Sequence, residues 1–245
     1  IGTDAKYLIG GFMLVSALIS MWIMNTSTTL MLLPIGLAIA GVVRNTTSLD
    51  KDFTNFQTAL LLGIAYAATI GGMATPIGTG PNIVVISLIQ EQGLDVTFDQ
   101  WMLLAAPISA IMLLVGWWLL THIIFPINIT GNENTKNSLQ KMYLDLGKIS
   151  VDERRVLLIF ILTAMAWMTR DLLDELFLFQ GLTDYGIAII AALAVFITRS
   201  STGSGLIEWN ITSKLPWGIL ILFGGGLSMA NAIMDSGLGK WIGGL

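Results

Sequence analysis

Long apolar stretches without charged residues alternate with short polar segments along this chain. The first stretch covers residues 7–43, roughly 37 residues, which is nearly twice the ~20 that a membrane-spanning helix needs. Its polar side chains lie in the middle, at residues 25–29 (Asn-Thr-Ser-Thr-Thr). Because such groups are costly in lipid, the pattern predicts a re-entrant hairpin, with helical arms over residues 7–24 and 30–43 and a break at the polar tip.

A second interruption lies within the next apolar stretch, where the sequence reads Gly71-Gly-Met-Ala-Thr-Pro-Ile-Gly-Thr-Gly-Pro-Asn82. Four glycines and two prolines in twelve residues do not sustain an α-helix. Apolar sequence resumes at Ile83 and lasts to Ile89. The pattern therefore predicts a discontinuous membrane helix over residues 55–89, with Thr54 as its N-cap and an unwound middle that lines a cavity.

The remaining apolar stretches predict spans at residues 101–127, 156–169, 185–198 and 216–234. The connection over residues 128–155 has apolar residues at helical spacing, which predicts a short amphipathic helix on the membrane surface. Ser150 and Glu153 have the spacing of a capping box for the span that follows. Tryptophans at span ends are typical of the membrane interface, and we assign Trp101, Trp167 and Trp217 to it.

Composition points to the same class of protein. Hydrophobic residues make up 54% of the 245 positions, charged residues make up 11%, and the mean hydropathy is +0.77. We expect an all-α, polytopic integral membrane protein. The absence of cysteine excludes disulfides and thiolate metal sites. The small net charge of −4 gives no reason to expect nucleic acid as a partner.

The positions of lysine and arginine predict an orientation. If the hairpin opens to the cytoplasm, so do the loops that follow Val43, Ile127 and Thr198. Those loops carry Arg44, Lys51, Lys136, Lys141, Lys148, Arg154, Arg155, Arg199 and Lys214. The opposite side keeps Arg170 and Lys240. The positive-inside rule favours this topology over its reverse.

The predicted spans lack ionisable groups at their centres. No Asp, Glu, Lys or Arg falls within them, and we interpret His122 as an interfacial residue. This argues against a proton relay and against an intramembrane enzyme. Neutral oxygens remain, from broken-helix carbonyls, hydroxyls and Asn amides. They suit a monovalent cation such as sodium, while helix N-termini suit a carboxylate or sulfate, so we expect a cation-coupled anion transporter.

Each of these features also has a purely structural interpretation. Asn25 and Thr26 would serve as helix caps or bond neighbouring helices, and residues 71–82 would form a packing kink. The Ser20 hydroxyl would bond a carbonyl of its own helix. The glycine triplet at residues 224–226 favours close packing or a bend over ligand binding.

Three motifs resemble those of the divalent anion/sodium symporter family, most closely its bacterial sodium/dicarboxylate symporters of the INDY type. Ser20-Met-Trp-Ile-Met-Asn-Thr26, followed by Leu-Met-Leu-Leu-Pro34, is similar to the family's hairpin tip. Residues 63–82 resemble the family signature in the helix that follows the hairpin. Residues 216–227 are a weaker match. The resemblance covers essentially the whole chain.

The resemblance implies that the hairpin tip and the unwound loop form one sodium site and half of an anion site, and that an inverted second repeat supplies the other half. The implied sodium contacts are Ser20, Met24, Asn25, Gly71, Gly72 and Gly78. The implied substrate contacts are Asn25, Thr26, Thr75, Pro76 and Thr79. It further implies Na+ as coupling ion, four-carbon dicarboxylates such as succinate as substrates, alternating access, a homodimer and a bacterial inner membrane.

Two departures from the family pattern affect this expectation. Met24 stands where the family tip usually has Ser, and Gly80 stands where a second proline is common. A second Ser-Asn-Thr motif is not present. We therefore expect an incomplete transporter, with the late part of a first repeat in residues 1–127 and the start of a second in residues 156–245. The alternatives are transport of sulfate, citrate or tricarboxylates, sodium-independent exchange, and a non-transporting membrane scaffold.

Overall fold

The computed structural model describes residues 4–44, 50–127, 129, 137, 140–141, 144, 147–170, 183–201, 203–215, 217–238 and 241. The chain divides into two compact units, Ile1–Ile149 and Ser150–Leu245. Within the described ranges the regular elements are all helical and no strand occurs, which confirms the predicted all-α class. Much of the predicted amphipathic surface helix lies outside those ranges.

Among the described residues, five α-helices belong to the first unit. They are α1 (Ala5–Ser20), α2 (Asn25–Arg44), α3 (Asp50–Gly72), α4 (Gly80–Glu91) and α5 (Phe98–Trp118), and a π-helical turn, Leu119–Ile124, extends α5. Asp4 caps α1 by accepting the Lys6 N–H at 3.1 Å. Thr97 and Gln100 form a capping box at the start of α5. These caps satisfy N–H groups that have no partner inside the helix.

The first break lies at residues 21–24, immediately before the polar residues 25–29 at which it is predicted. Residues 21–24 form the turn between α1 and α2, and α2 begins at Asn25, so the polar residues 25–29 make up its first turn. The Thr28 N–H donates to the Met24 carbonyl at 3.0 Å, and the Thr29 hydroxyl donates to the Asn25 carbonyl at 2.9 Å. Short polar side chains are favoured at a helix start because they bond the backbone there.

The predicted start of the second membrane helix is wrong. Helix α3 begins at Asp50, so Thr54 lies inside it and is not its N-cap. Asp52 falls in the first turn, where a carboxylate complements the positive end of the helix dipole. The predicted interruption of this helix is present, since α3 ends at Gly72 and α4 begins at Gly80.

Helix α3 lies at the centre of the first unit and packs against α1, α2 and α5. Phe56, Leu60 and Ile64 on α3 are almost fully buried, as are Ile9 and Met13 on α1. Within the part of the chain that the structure describes, three helices are long and apolar enough to cross a membrane: Asn25–Arg44, Lys51–Gly72 and Phe98–Ile124. Leu103 and Leu104 of α5 are 83% and 71% exposed, as suits side chains that face lipid.

The second unit contains α6 (Val151–Met168), α7 (Asp184–Ile197), a short 3₁₀-helix (Trp209–Lys214) and α8 (Trp217–Asp235). The predicted capping box at the start of α6 is confirmed. The Ser150 N–H donates to the Glu153 carboxylate at 2.7 Å, and the Glu153 N–H donates to the Ser150 hydroxyl at 3.2 Å.

A polar contact fixes the loop after α7 onto the start of α6. The Asp152 carboxylate accepts the Ser200 hydroxyl at 2.6 Å and the Ser201 N–H at 2.8 Å. Hydrogen bonds from Ser200 and Ser201, with the nearby Arg155 guanidinium, lower the pKa of Asp152 to about 2. The carboxylate is therefore ionised at physiological pH.

Close packing of α1 on α3 gives a first prediction. A Cβ on Gly71 would overlap the Ala17 backbone, whereas a Cβ on Gly41 of α2 would meet nothing within 4 Å. Gly71→Ala is expected to lower the free energy of unfolding by about 1–3 kcal/mol through overpacking. Gly41→Ala is expected to raise it by up to about 1 kcal/mol through helix propensity. Thermal unfolding of both variants in detergent tests this, and equal melting temperatures would contradict it.

Candidate ion and anion site

Four helix ends meet within the first unit. Helices α1 and α3 end at Ser20 and Gly72, and α2 and α4 begin at Asn25 and Gly80. The Ser20 hydroxyl donates to Asn25 Oδ1 at 2.9 Å, which joins the two sides of the first break. Thr75, in the loop between α3 and α4, donates to the Met21 carbonyl, which joins the two breaks to each other.

Oxygen atoms converge on the side chain of Asn25. Its Oδ1 position lies 3.2 Å from the Ala68 carbonyl oxygen, 3.3 Å from the Gly78 carbonyl oxygen and 2.9 Å from Ser20 Oγ. Neither carbonyl has a proton to offer, so an amide oxygen here faces two acceptors. Two arrangements relieve this conflict. Either the amide rotates so that its NH2 group donates to the three oxygens, or a cation binds between them.

The spacing of these oxygens fits a cation. Oxygen ligands of a hard cation such as Ca²⁺ lie about 2.3–2.6 Å from the ion, so neighbouring ligands at right angles are roughly 3.2–3.7 Å apart. Asn25 Oδ1 has such separations from the Ala68 and Gly78 carbonyl oxygens. Every atom that could coordinate a cation in this set is an uncharged oxygen.

Glycine is required where the backbone comes nearest to these oxygens. A Cβ on Gly72 would overlap Asn25 Oδ1. A Cβ on Gly78 would lie 2.5 Å from the Gly72 carbonyl oxygen and 2.9 Å from the Ser20 carbonyl oxygen. Any larger residue at either position would therefore push the two breaks apart.

Asn82 holds the unwound loop in shape. Its Nδ2 donates to the Gly72 carbonyl at 2.9 Å and to the Thr75 carbonyl at 2.8 Å. The Thr75 hydroxyl also accepts the Gly78 N–H at 3.1 Å. Asn82 and Thr75 are both buried. The site predicted from the sequence does not include Asn82. An amide with two N–H donors directly after a glycine-rich loop could nevertheless have indicated a side chain that bonds the loop carbonyls.

The other predicted site residues differ in their surroundings. Asn25 Nδ2 lies 3.5 Å from the hydroxyl of Thr79, the residue that precedes α4. Met24 and Pro76 are half-buried, and Thr26 is exposed. One further residue of the polar run, which is not among the implied contacts, is buried on the same helix as Asn25. Thr28 is fully buried one turn along α2, and its hydroxyl has no hydrogen-bond partner among the described residues.

Helix dipoles give the site its electrostatics. The C-termini of α1 and α3 bring partial negative charge, and the N-termini of α2 and α4 bring partial positive charge. A cation is favoured by the first pair and an anion by the second. Within the described part of the chain, no cluster of three or more His, Cys, Asp or Glu residues could hold a metal ion.

The apolar helices define the class of helical integral membrane proteins. The sequence matches the family described as "Sodium:sulfate symporter transmembrane region" over residues 1–245. This chain belongs to that family, the divalent anion/sodium symporters, as the motifs predicted.

Curated relatives include the sodium-dependent dicarboxylate transporters SdcS of Staphylococcus saprophyticus and of Staphylococcus aureus strain USA300. They are 33% and 34% identical to the chain over 251 residues. Each alignment covers 99% of this chain and 48% of the relative. The chain thus spans about half the length of the curated relatives it matches.

The two hydrogen bonds of Asn82 give a second prediction. Asn82→Leu leaves two buried carbonyls without their donor, so we expect the free energy of unfolding to fall by about 2–4 kcal/mol. Asn55 provides a matched control, because its Nδ2 donates to the Pro126 carbonyl at 3.2 Å at an exposed position. Asn55→Leu is expected to cost no more than about 0.5 kcal/mol, as water replaces the amide. Comparable losses in thermal unfolding would show that Asn82 does not hold the loop.

Proposed function

We propose that this protein is a sodium-coupled symporter of divalent anions, with four-carbon dicarboxylates such as succinate as substrates. The observation that carries this proposal is the convergence of uncharged oxygens on Asn25, beside two helix N-termini. The family and the staphylococcal relatives, which are named sodium-dependent dicarboxylate transporters, support it.

Sodium would bind among Ser20 Oγ, Asn25 Oδ1 and the carbonyls of Ala68 and Gly78. The separations of 3.2 and 3.3 Å between Asn25 Oδ1 and the Ala68 and Gly78 carbonyl oxygens support a shared ion. The set has no carboxylate, and a few neutral oxygens suit a monovalent cation better than a divalent one, since the divalent ion has more hydration to replace. Ala68 is an addition to the ligands that the resemblance implies. Gly72 would contribute because its lack of a Cβ leaves room for the Asn25 side chain.

The anion would bind on the opposite side of Asn25, at the N-termini of α2 and α4. The exposed Thr26 and the hydroxyl of Thr79 offer donors there, and the positive ends of two helices favour a carboxylate. Thr75 would act indirectly, because its hydroxyl is already engaged by Met21 and Gly78. Pro76 would shape the loop.

Transport would follow alternating access, with the two breaks moving as one body. We propose that α1 and α2 form the re-entrant hairpin, that residues 1–127 are the late part of a first repeat, and that residues 156–245 are the start of an inverted second repeat. A homodimer in a bacterial inner membrane is the proposed assembly and location. Contacts that join the two breaks, such as Thr75 to the Met21 carbonyl, support their common movement.

Sulfate is the second candidate substrate, because the family description names sodium and sulfate. A tetrahedral dianion would use the same helix N-termini as a dicarboxylate. Citrate or a tricarboxylate is the remaining variant of this proposal. A sodium-independent exchanger would also keep the fold, but it would leave the oxygen cluster around Asn25 without a purpose.

Uptake into proteoliposomes tests the function. We expect succinate uptake to require an inward sodium gradient. Asn25→Ala removes one proposed ligand and a donor for the substrate, and it should lower this uptake by roughly tenfold or more. Asn210→Ala is the control, because Asn210 is an exposed asparagine of the second unit, and it should transport like the unmodified protein.

Other outcomes would change the proposal in defined ways. Uptake that ignores sodium would replace symport by exchange. Sodium-driven uptake of sulfate or citrate without succinate would keep the mechanism and change the substrate. Full activity of Asn25→Ala would mean that the ion binds elsewhere.

A further inference from the structure

Helix α5 contacts both breaks, although the sequence predicted no part for it in the site. Phe98, at its start, stacks on Trp22 of the turn between α1 and α2, with ring centroids 6.1 Å apart and an angle of 21°. The indole Nε1 of Trp101 donates to the Met73 carbonyl at 3.1 Å. The Ser109 hydroxyl donates to the Ile70 carbonyl at 2.6 Å. Three residues on one helix therefore touch the turn and the end of α3.

The carbonyls that α5 engages belong to the end of α3 and the unwound loop. The last four carbonyls of a helix have no partner within it, and in a membrane no bulk water replaces that partner. In this structure three of the carbonyls from Ile70 to Met73 accept a hydrogen bond from a side chain. The Ile70 carbonyl accepts the Ser109 hydroxyl beside the Met73 N–H, the Gly72 carbonyl accepts the Asn82 amide, and the Met73 carbonyl accepts the Trp101 indole.

These bonds also set the direction of neighbouring peptide groups. Each peptide unit is planar, so fixing one carbonyl constrains the dihedral angles on both sides. Ile70 lies two residues after Ala68, and Met73 opens the loop that leads to Gly78. The Ala68 and Gly78 carbonyls are the two that face Asn25.

We propose that Trp101 and Ser109 are positioning residues for the cation site. By binding the Met73 and Ile70 carbonyls, they hold the break in the conformation that presents the Ala68 and Gly78 oxygens toward Asn25. This inference rests on the proposed binding of sodium. It gives the Trp101 indole N–H a second role beside the interfacial one that the sequence predicts.

Two residues of the same unit make the same kinds of bond away from the break. The Nε1 of Trp117 donates to the Lys6 carbonyl at 2.9 Å, at the start of α1. The Ser16 hydroxyl donates to the Ile64 carbonyl at 2.7 Å, in the uninterrupted part of α3. Each matched pair has the same donor and acceptor types and differs in whether the acceptor carbonyl lies at the break after α3.

The test compares Trp101→Phe with Trp117→Phe, and Ser109→Ala with Ser16→Ala. Sodium half-saturation of succinate uptake is measured for each at saturating succinate, together with the sodium-induced rise in melting temperature of the purified protein. Trp101→Phe and Ser109→Ala are expected to raise the half-saturating sodium concentration roughly three- to tenfold, the equivalent of one lost hydrogen bond. Their maximal rate at saturating sodium should be retained. The two controls should keep the original sodium dependence.

Equal sodium dependence within each pair would overturn the proposal, because loss of packing alone affects all four positions. If Trp101→Phe does not fold, the serine pair decides by itself. Absence of sodium dependence in the unmodified protein would instead overturn the proposed function, and the positioning role with it. If sulfate is the substrate, the same comparison is made with sulfate uptake.

Discussion

The structure of the first unit depends on one constraint: the terminal carbonyls and N–H groups of a helix have no partner within it, so a helix end that is buried must find partners elsewhere. Two helices are interrupted here, and their ends are placed against each other. The end of α3 and the loop that follows it then receive three side-chain donors, one from Asn82 of α4 and two from Trp101 and Ser109 of α5. Hydrogen bonds that satisfy the loop thereby also fix which oxygens face Asn25.

The same arrangement of helix ends favours a cation at the C-termini and an anion at the N-termini. None of the side chains described at these four helix ends is ionised. Each break pairs a helix C-terminus with a helix N-terminus, so partial charges of both signs lie a few residues apart. Close approach is possible because Gly72 and Gly78 carry no Cβ, which would overlap Asn25 in the first case and crowd the Ser20 carbonyl in the second. Small residues thus determine how near the two breaks lie, and that distance determines whether one ion could touch both.

Local sequence signals were enough to predict the helical class, the interruption of α3 and the capping box at Ser150, because each is decided by neighbouring residues. Thr54 was misassigned because a threonine with cap chemistry is also tolerated inside a helix. The polar run at residues 25–29 predicts a break, whereas short polar residues equally favour the start of a helix. Ala68, Asn82 and Ser109 were missed for another reason. Their importance lies in the direction of a carbonyl or in a contact across helices, and neither leaves a periodic pattern.

An uncharged site is suited to repeated binding and release. The Asn25 amide can turn its NH2 group toward the Ala68 and Gly78 carbonyls, so the site is satisfied when no ion is bound. With its oxygen turned inward instead, the same side chain would become a ligand of the proposed sodium ion. A carboxylate at this position would bind a cation more tightly, but it would be left buried and unpaired each time the ion departed. Asparagine would bind the cation less tightly than a carboxylate, but it leaves no unpaired buried charge each time the ion is released.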